Sequence, residues 1–368
     1  MFVNINCSNK EPRYWLNFSS LQFLASLMNK DYLTPVTQTG DSEFLLACRH
    51  DNLAQLKILF ENFCSDFQTQ SRVELEVANP RRAVVDILSH HYNKYGKGLL
   101  HECAQNSSLE CLRFLLDDLK MNADSLKQGD WTPLMLACAA KNDKSRAIVR
   151  LLIDRGADVQ RKNKDGWTAF HIACRSGDAK KLQTIMEDDP KSWKTKSLNG
   201  CEGVVEFLLT IPEIEIDRPD VCGTTALMDA IRAGKSEIIE ILIANEADVN
   251  KSDKLGRKAV HIAAICGDNE CLNSLFHKYS ADINGKTLEE SSMVPIHFAA
   301  KEGHISTIEK LIALGANPAA VDRFGRNILH FAAIGQKHEC FAYIEGLGVE
   351  DCTDKFGRRA STYWKKIK

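Results

Sequence analysis

The chain has 368 residues, 44% hydrophobic and 26% charged, which is ample apolar material for a packed core. A formal net charge of -2 offers no basic field of the kind that condenses onto nucleic acid, so the expected partner is another protein. Thirteen cysteines include no C-x-x-C, and the closest pair, Cys266 and Cys271, lacks a zinc-ligand spacing. Core packing in a reducing compartment is therefore their expected role, notably for Cys103, Cys138, Cys174 and Cys340, which fall inside apolar helical patterns.

The opening, MFVNINCSNKEPRYW, shows no basic stretch followed by an apolar core and cleavage site, and no later stretch is apolar for the roughly eighteen residues a membrane span needs. Cytosol, with or without nucleus, is the expected location. Residues 1–40, with LQFLASLMN, are expected to form a helical or irregular cap. DSEFLLACRHDNLAQLKILFENF at 41–63 reads as a degenerate first repeat, followed over 64–94 by a poorly patterned insertion.

From residue 95 one pattern recurs: a turn, a short helix of the T-P-L-H-x-A type, a second apolar helix, and a segment like G-A-D-V-N. Its copies are GLLHECA (98–104), WTPLMLACA (131–139), DGWTAFHIACRSGD (165–178) and CGTTALMDAIRAGK (222–235), then LGRKAVHIAAICGD (255–268), VPIHFAAKEGH (294–304) and FGRNILHFAAIGQ (324–336). The marks His101, Met135, His171, Met228, His261, His297 and His330 are separated by 34, 36, 57, 33, 36 and 33 residues. Thr132, Thr168 and Thr225 stand where a hydroxyl caps the first helix, and Gly156, Gly234, Gly267, Gly303 and Gly315 where a helix ends.

The 57-residue interval falls about ten residues short of two periods: WKTKSLNG runs straight into CEGVVEFLLTIPEIEI, and an inner helix between them is missing. A shortened repeat is expected near 197–217, either as a true defect in the array or as the trace of a lost coding segment. Residues 351–368, which include DKFGRRASTYWKKIK, are expected to close the array as a capping half-repeat, with Lys365, Lys366 and Lys368 in solvent.

Seven copies at this period resemble the ankyrin-repeat family over roughly residues 41–358. The resemblance implies an all-α solenoid of helix-turn-helix units joined by short β-hairpin loops, with residues 95–350 as the array. It also implies that the motif histidines clip the loop backbone. About 10 Å apart in a stack, they could not share a metal.

Finer texture narrows the likeness. DWTPLMLAC, KNKDGW, FHIACRSGD, SWKTKS, CGTTALMDAI and HFAAKEGHISTIEKL, in this order, resemble the ankyrin co-regulators of alanyl-tRNA synthetase. That resemblance implies a monomeric protein that binds the synthetase and takes misactivated serine onto its own lysines, sparing tRNA. Lys164 in KNKDGW and Lys194 in W-K-T match the family's acceptor positions. Where relatives show two consecutive lysines before A-D-W-T-P, this chain has Lys127 then Gln128, so Lys127 stands one place away.

No glycine-rich phosphate loop, G-x-S-x-G or metal-ligand cluster calls for a cofactor or for a free-standing enzyme. The competing reading is an ankyrin adaptor for some other protein.

Overall fold

The computed structural model describes residues 33–74, 79–140, 144–176, 201–288 and 290–364. Apart from residues 33–40, the expected N-terminal cap lies outside them, as do Lys194 and the three tail lysines. The described residues contain seventeen α-helices, and hairpin pairing is limited to single bridges such as Lys127–Trp131 and Thr353–Arg359. None of these helices is long and apolar enough to cross a membrane. The chain divides into two compact units, Met1–Cys103 with Glu110–Asn122, and Ala104–Leu109 with Ala123–Lys368.

The first unit holds α1 (Glu43–Arg49), α2 (Leu53–Glu74), α3 (Pro80–Ser89), the start of α4 (Leu99–Asn106), and α5 (Leu109–Arg113) with its π-helical extension Phe114–Asp118. The stretch read as an insertion is thus largely helical. Asn79 caps α3 by accepting the Arg82 N–H, Pro80 occupies its first turn, and Val84, Val85, Ile87 and Leu88 bury one face. Phe44, Phe60, Phe63 and Phe67 fill the core, with Phe60 edge-on to Phe114 at 6.0 Å. Buried Asp41 and Glu102 are both bound by Arg49, at 2.9 and 3.1 Å.

The second unit is a stack of helix pairs. Its inner helices are α6 (Pro133–Ala139), α8 (Ala169–Ser176), α10 (Ala226–Arg232), α12 (Ala259–Cys266), α14 (Pro295–Glu302) and α16 (Ile328–Ile334). Its outer helices are α7 (Ser145–Asp154), α9 (Cys201–Leu209), α11 (Ser236–Ala244), α13 (Asn269–Tyr279), α15 (Ile305–Ala313) and α17 (His338–Gly346). Each inner helix packs on its own outer helix and on the next inner helix, and a short 3-10 helix, Ala360–Tyr363, covers α16. Inner helices can approach closely because their buried positions include small residues: Ala137 and Cys138, Ala173 and Cys174, Ala263 and Ala264, Ala299 and Ala300, Ala332 and Ala333. Helices of seven to eleven residues are too short to be stable alone, so this stacking supplies the core.

Local chemistry fixes the ends. Thr132 and Thr225 are extended and accept the Met135 and Met228 N–H groups at 3.2 and 3.4 Å. Gly267 and Gly303 close α12 and α14 at φ of 74° and 84°, in the left-handed region. Burial raises the thiols of Cys174, Cys271 and Cys340, the last to about 11, as expected of cysteines used as small core hydrophobes.

The 57-residue interval has a structural counterpart. Helix α9 packs against α8 on one side and lies between the outer helices α7 and α11. The inner helix of one sequence repeat and the outer helix of the next therefore make one pair.

Candidate functional site

Between one outer helix and the next inner helix the chain turns through a finger-like loop, and these loops are built alike. An Asx side chain at the base accepts two backbone N–H groups, two and four residues on. Asn163 accepts from Asp165 and Trp167, Asp220 from Cys222 and Thr224, and Asp253 from Leu255 and Arg257, all between 2.7 and 2.9 Å. Asp322 and Asp354 repeat the arrangement. In three fingers an arginine four residues after the aspartate closes the turn: Arg257, Arg326 and Arg358 reach Asp253, Asp322 and Asp354 at 2.7, 2.6 and 3.0 Å.

Neighbouring fingers are tied together at their tips. The N–H groups of Lys164, Lys254, Arg323 and Lys355 donate to the carbonyls of Gly129, Cys222, Ser291 and Phe324 at 3.1, 2.9, 3.1 and 2.8 Å. Gly166, at φ 79°, shows why a glycine is required beside such a bond: a Cβ there would lie 2.6 Å from the Val221 nitrogen of the next finger.

The motif histidines join fingers to inner helices. In His261 and His297, Nδ1 accepts the N–H of Lys258 and Val294, each at 3.1 Å, which leaves Nε2 to donate to the carbonyls of Gly285 and Ala320, each at 2.9 Å. Burial holds both imidazoles down at about 4, so they are neutral at physiological pH. His330 makes the same pair of contacts, to Asn327 and Arg358. His171 differs: Nδ1 accepts from Thr168, but Nε2 has no partner among the described residues. Nε2 faces the Arg218 and Thr224 carbonyls of the finger that follows, short of a formed hydrogen bond.

A family profile described as Ankyrin repeats (3 copies) matches residues 17–163, 100–196 and 193–287, and one described as Ankyrin repeats (many copies) matches 296–344. The chain belongs to the ankyrin-repeat family.

The chain is 24% identical over 322 residues to the human transient receptor potential cation channel subfamily A member 1, covering 80% of this chain and 28% of the channel. It is 26% identical over 184 residues to a probable E3 ubiquitin-protein ligase of rice, covering 39% and 37%. To an ankyrin repeat and KH domain-containing protein of Caenorhabditis elegans it is 29% identical over 199 residues, covering 51% and 7%. The chain thus spans well under half the length of each of these relatives, and the common part is the ankyrin array, a fold that binds proteins.

Two of the three lysines singled out from the sequence lie on adjacent fingers of this array. Lys164 is exposed at the tip of its finger, and its N–H donates to the Gly129 carbonyl of the finger that carries Lys127. Lys127 is half-buried, its amine 5.2 Å from the centre of the Trp131 ring. The neighbouring Lys162 is directed elsewhere, donating to the Pro219 carbonyl at 3.3 Å. Among the described residues no group of three or more His, Cys, Asp or Glu side chains could hold a metal ion.

The aspartate-to-arginine pins were missed in the sequence, although D-x-x-G-R recurs in SDKLGRK, VDRFGRN and TDKFGRR. Also missed was Asp229 on α10, 2% exposed, with Oδ1 on Arg232 at 3.0 Å and Oδ2 without a partner among the described residues. Burial, with Asp220 adding to it, lifts this carboxyl to about 6 against the opposing pull of Arg232 and Arg175. The folded-state value lies above the unfolded one. The neutral form's contribution to stability is therefore complete below about 4 and is lost as pH rises through 6. Asp229→Asn is expected to raise the stability of the array by roughly 2 kcal/mol at pH 8 and to leave it unchanged at pH 4. Thermal melts of both proteins at the two pH values check this, and an equal shift at each would contradict it.

Proposed function

We propose that this ankyrin array binds alanyl-tRNA synthetase in the cytosol or nucleus and acts there as a sacrificial acceptor of misactivated serine, not as a turnover catalyst. The observation that carries the reading is the Lys164 amine: exposed, at a finger tip secured to its neighbour, and within the KNKDGW stretch that resembles the co-regulator family. Seryl adenylate is a mixed anhydride. The neutral Lys164 amine attacks its acyl carbon, an amide forms, AMP leaves with the bonding electrons, and the ammonium proton passes to solvent.

Near pH 7 only about one lysine in a few thousand is neutral, so docking beside the adenylate must supply the rate. Lys127, whose amine rests against the Trp131 ring, is the slower acceptor on this reading, and Lys194 completes the proposed set.

The test is incubation of the protein with the synthetase, serine and ATP, followed by mass spectrometry of its lysines. Seryl adducts are expected at Lys164 ahead of Lys127. Lys164→Arg should remove the first adduct while co-precipitation with the synthetase persists, because arginine keeps the charge and loses the nucleophile. Absence of adducts on every lysine would overturn the acceptor role, and failure to co-precipitate would favour an adaptor for a different protein.

A further inference from the structure

Three of the last four fingers carry a cation followed by a large apolar residue at their tips. Pinning the base aspartate to the N–H groups two and four residues on forces the two residues after it outward, and these are Lys254–Leu255, Arg323–Phe324 and Lys355–Phe356. Lys254, Arg323 and Lys355 are exposed; so are Leu255, at 58%, and Phe356, at 64%, while Phe324 is half-buried. The finger between the first two contributes Leu288, also exposed. Hydrogen bonds between the tips make this one row: Leu288 N–H to the Leu255 carbonyl at 3.4 Å, Arg323 to Ser291, and Lys355 to Phe324.

Cations predominate at the tips of the row. Asp253, Asp322 and Asp354 are buried and each is neutralised by its own arginine, so the cations at the tips face outward uncancelled by them. Glu290, on the finger without an arginine pin, is an acidic residue in the row. Cations beside aromatic rings also suit single-stranded nucleic acid, but the rings here are already taken. Phe356 is stacked with Phe324 at 6.0 Å and has the Arg358 guanidinium over it at 4.7 Å, and the other tips bear leucine, which offers no stacking face.

We infer that the tips at 254–255, 288, 323–324 and 355–356 form a docking surface for an extended protein segment in which acidic and large apolar residues sit side by side. The geometry sets its register. Stacked inner helices lie about 8–10 Å apart, and an extended segment of polyproline-II type advances about 3.1 Å per residue with about three residues per turn, so each finger meets about three residues and side chains three apart face it alike. Arg323 and Lys355 are one finger apart and Lys254 and Arg323 two, so the matching acids are about three and about six residues apart on a segment of about ten. The inference rests on the array's protein-binding fold and is independent of which protein Lys164 serves.

The probe is a fluorescein-labelled synthetic peptide of about ten residues carrying glutamate–leucine pairs at those spacings, titrated with the full chain by anisotropy. Saturable binding is expected, weakened about tenfold by Lys254→Glu with Arg323→Glu and Lys355→Glu, and about tenfold by Leu255→Ser with Phe356→Ser. All five positions are at least partly solvent-facing loop residues, and circular dichroism confirms that the variants remain folded. Lys164→Arg should bind the peptide as the parent does, which separates this surface from the acceptor role. No saturable binding, equal binding of a peptide with its leucines changed to serine, or tighter binding of polyuridylic acid would each overturn the inference.

Discussion

His297→Ala is expected to lower the unfolding free energy by about 3 kcal/mol, and His171→Ala by about 1 kcal/mol less. His297 is fully buried, accepts the Val294 N–H, donates to the Ala320 carbonyl and lies 4.8 Å from the Phe331 ring centre. Alanine removes both hydrogen bonds, leaves a buried N–H and C=O unsatisfied, and opens a cavity. His171 is equally enclosed but has one clip fewer, because its Nε2 has no partner among the described residues.

The pH dependence separates this account from a pure packing effect. With His297 held at about 4 in the fold and near 6.5 when unfolded, its contribution is present above 6.5 and is lost as pH falls towards 4. The parent should therefore lose more stability over that window than His297→Ala does. Urea unfolding at pH 7.5 and pH 5 measures it, and parallel losses in the two proteins would contradict the neutral-clip assignment.

Gly335→Ala is expected to cost about 3 kcal/mol, although its backbone could accommodate any residue. Gly335 caps α16 with φ -73° and ψ -7°, ordinary helical angles, so dihedral strain is not the reason. A Cβ at this position would land on the backbone carbonyl of Lys301, whose carbon is 2.8 Å away, at the end of the neighbouring α14. Backbone cannot swing aside as a flexible side chain does, so the two repeats must separate. Gly346, at the end of α17, has nothing within 4 Å of the corresponding position, and Gly346→Ala should be neutral or slightly stabilising. Equal destabilisation by the two changes in urea titrations would show that the contact between α14 and α16 is looser than described.

The array itself was legible because its marks are local. A threonine before the inner helix, a histidine three residues later and a glycine at the helix end each answer a nearby backbone need, and they recur at a fixed interval. What escaped had no local signature. The buried burden on Asp229 depends on packing across repeats, and T-A-L-M-D-A-I reads as an ordinary inner helix. Helix α3 has readable apolar spacing but no repeat template to match. The partner of α9 was also beyond pattern reading, since every inner helix in the array offers much the same apolar face to an outer one. Of the candidate site, Lys164 and Lys127 came from a resemblance, and only the structure shows that one is exposed while the other lies against Trp131.

The central claim is that the array runs unbroken through the pair made by α8 and α9, so that fingers and inner helices form one continuous binding edge from Trp131 to Phe356. Hydrogen–deuterium exchange of residues 201–224, compared with residues 236–257 in the regular repeat that follows, tests it most directly. The account predicts slow and similar exchange in α9 and α11, and in the N–H groups of Cys222, Thr224, Leu255 and Arg257 that are held by finger aspartates. Fast exchange throughout 201–224 beside slow exchange in 236–257 would contradict it.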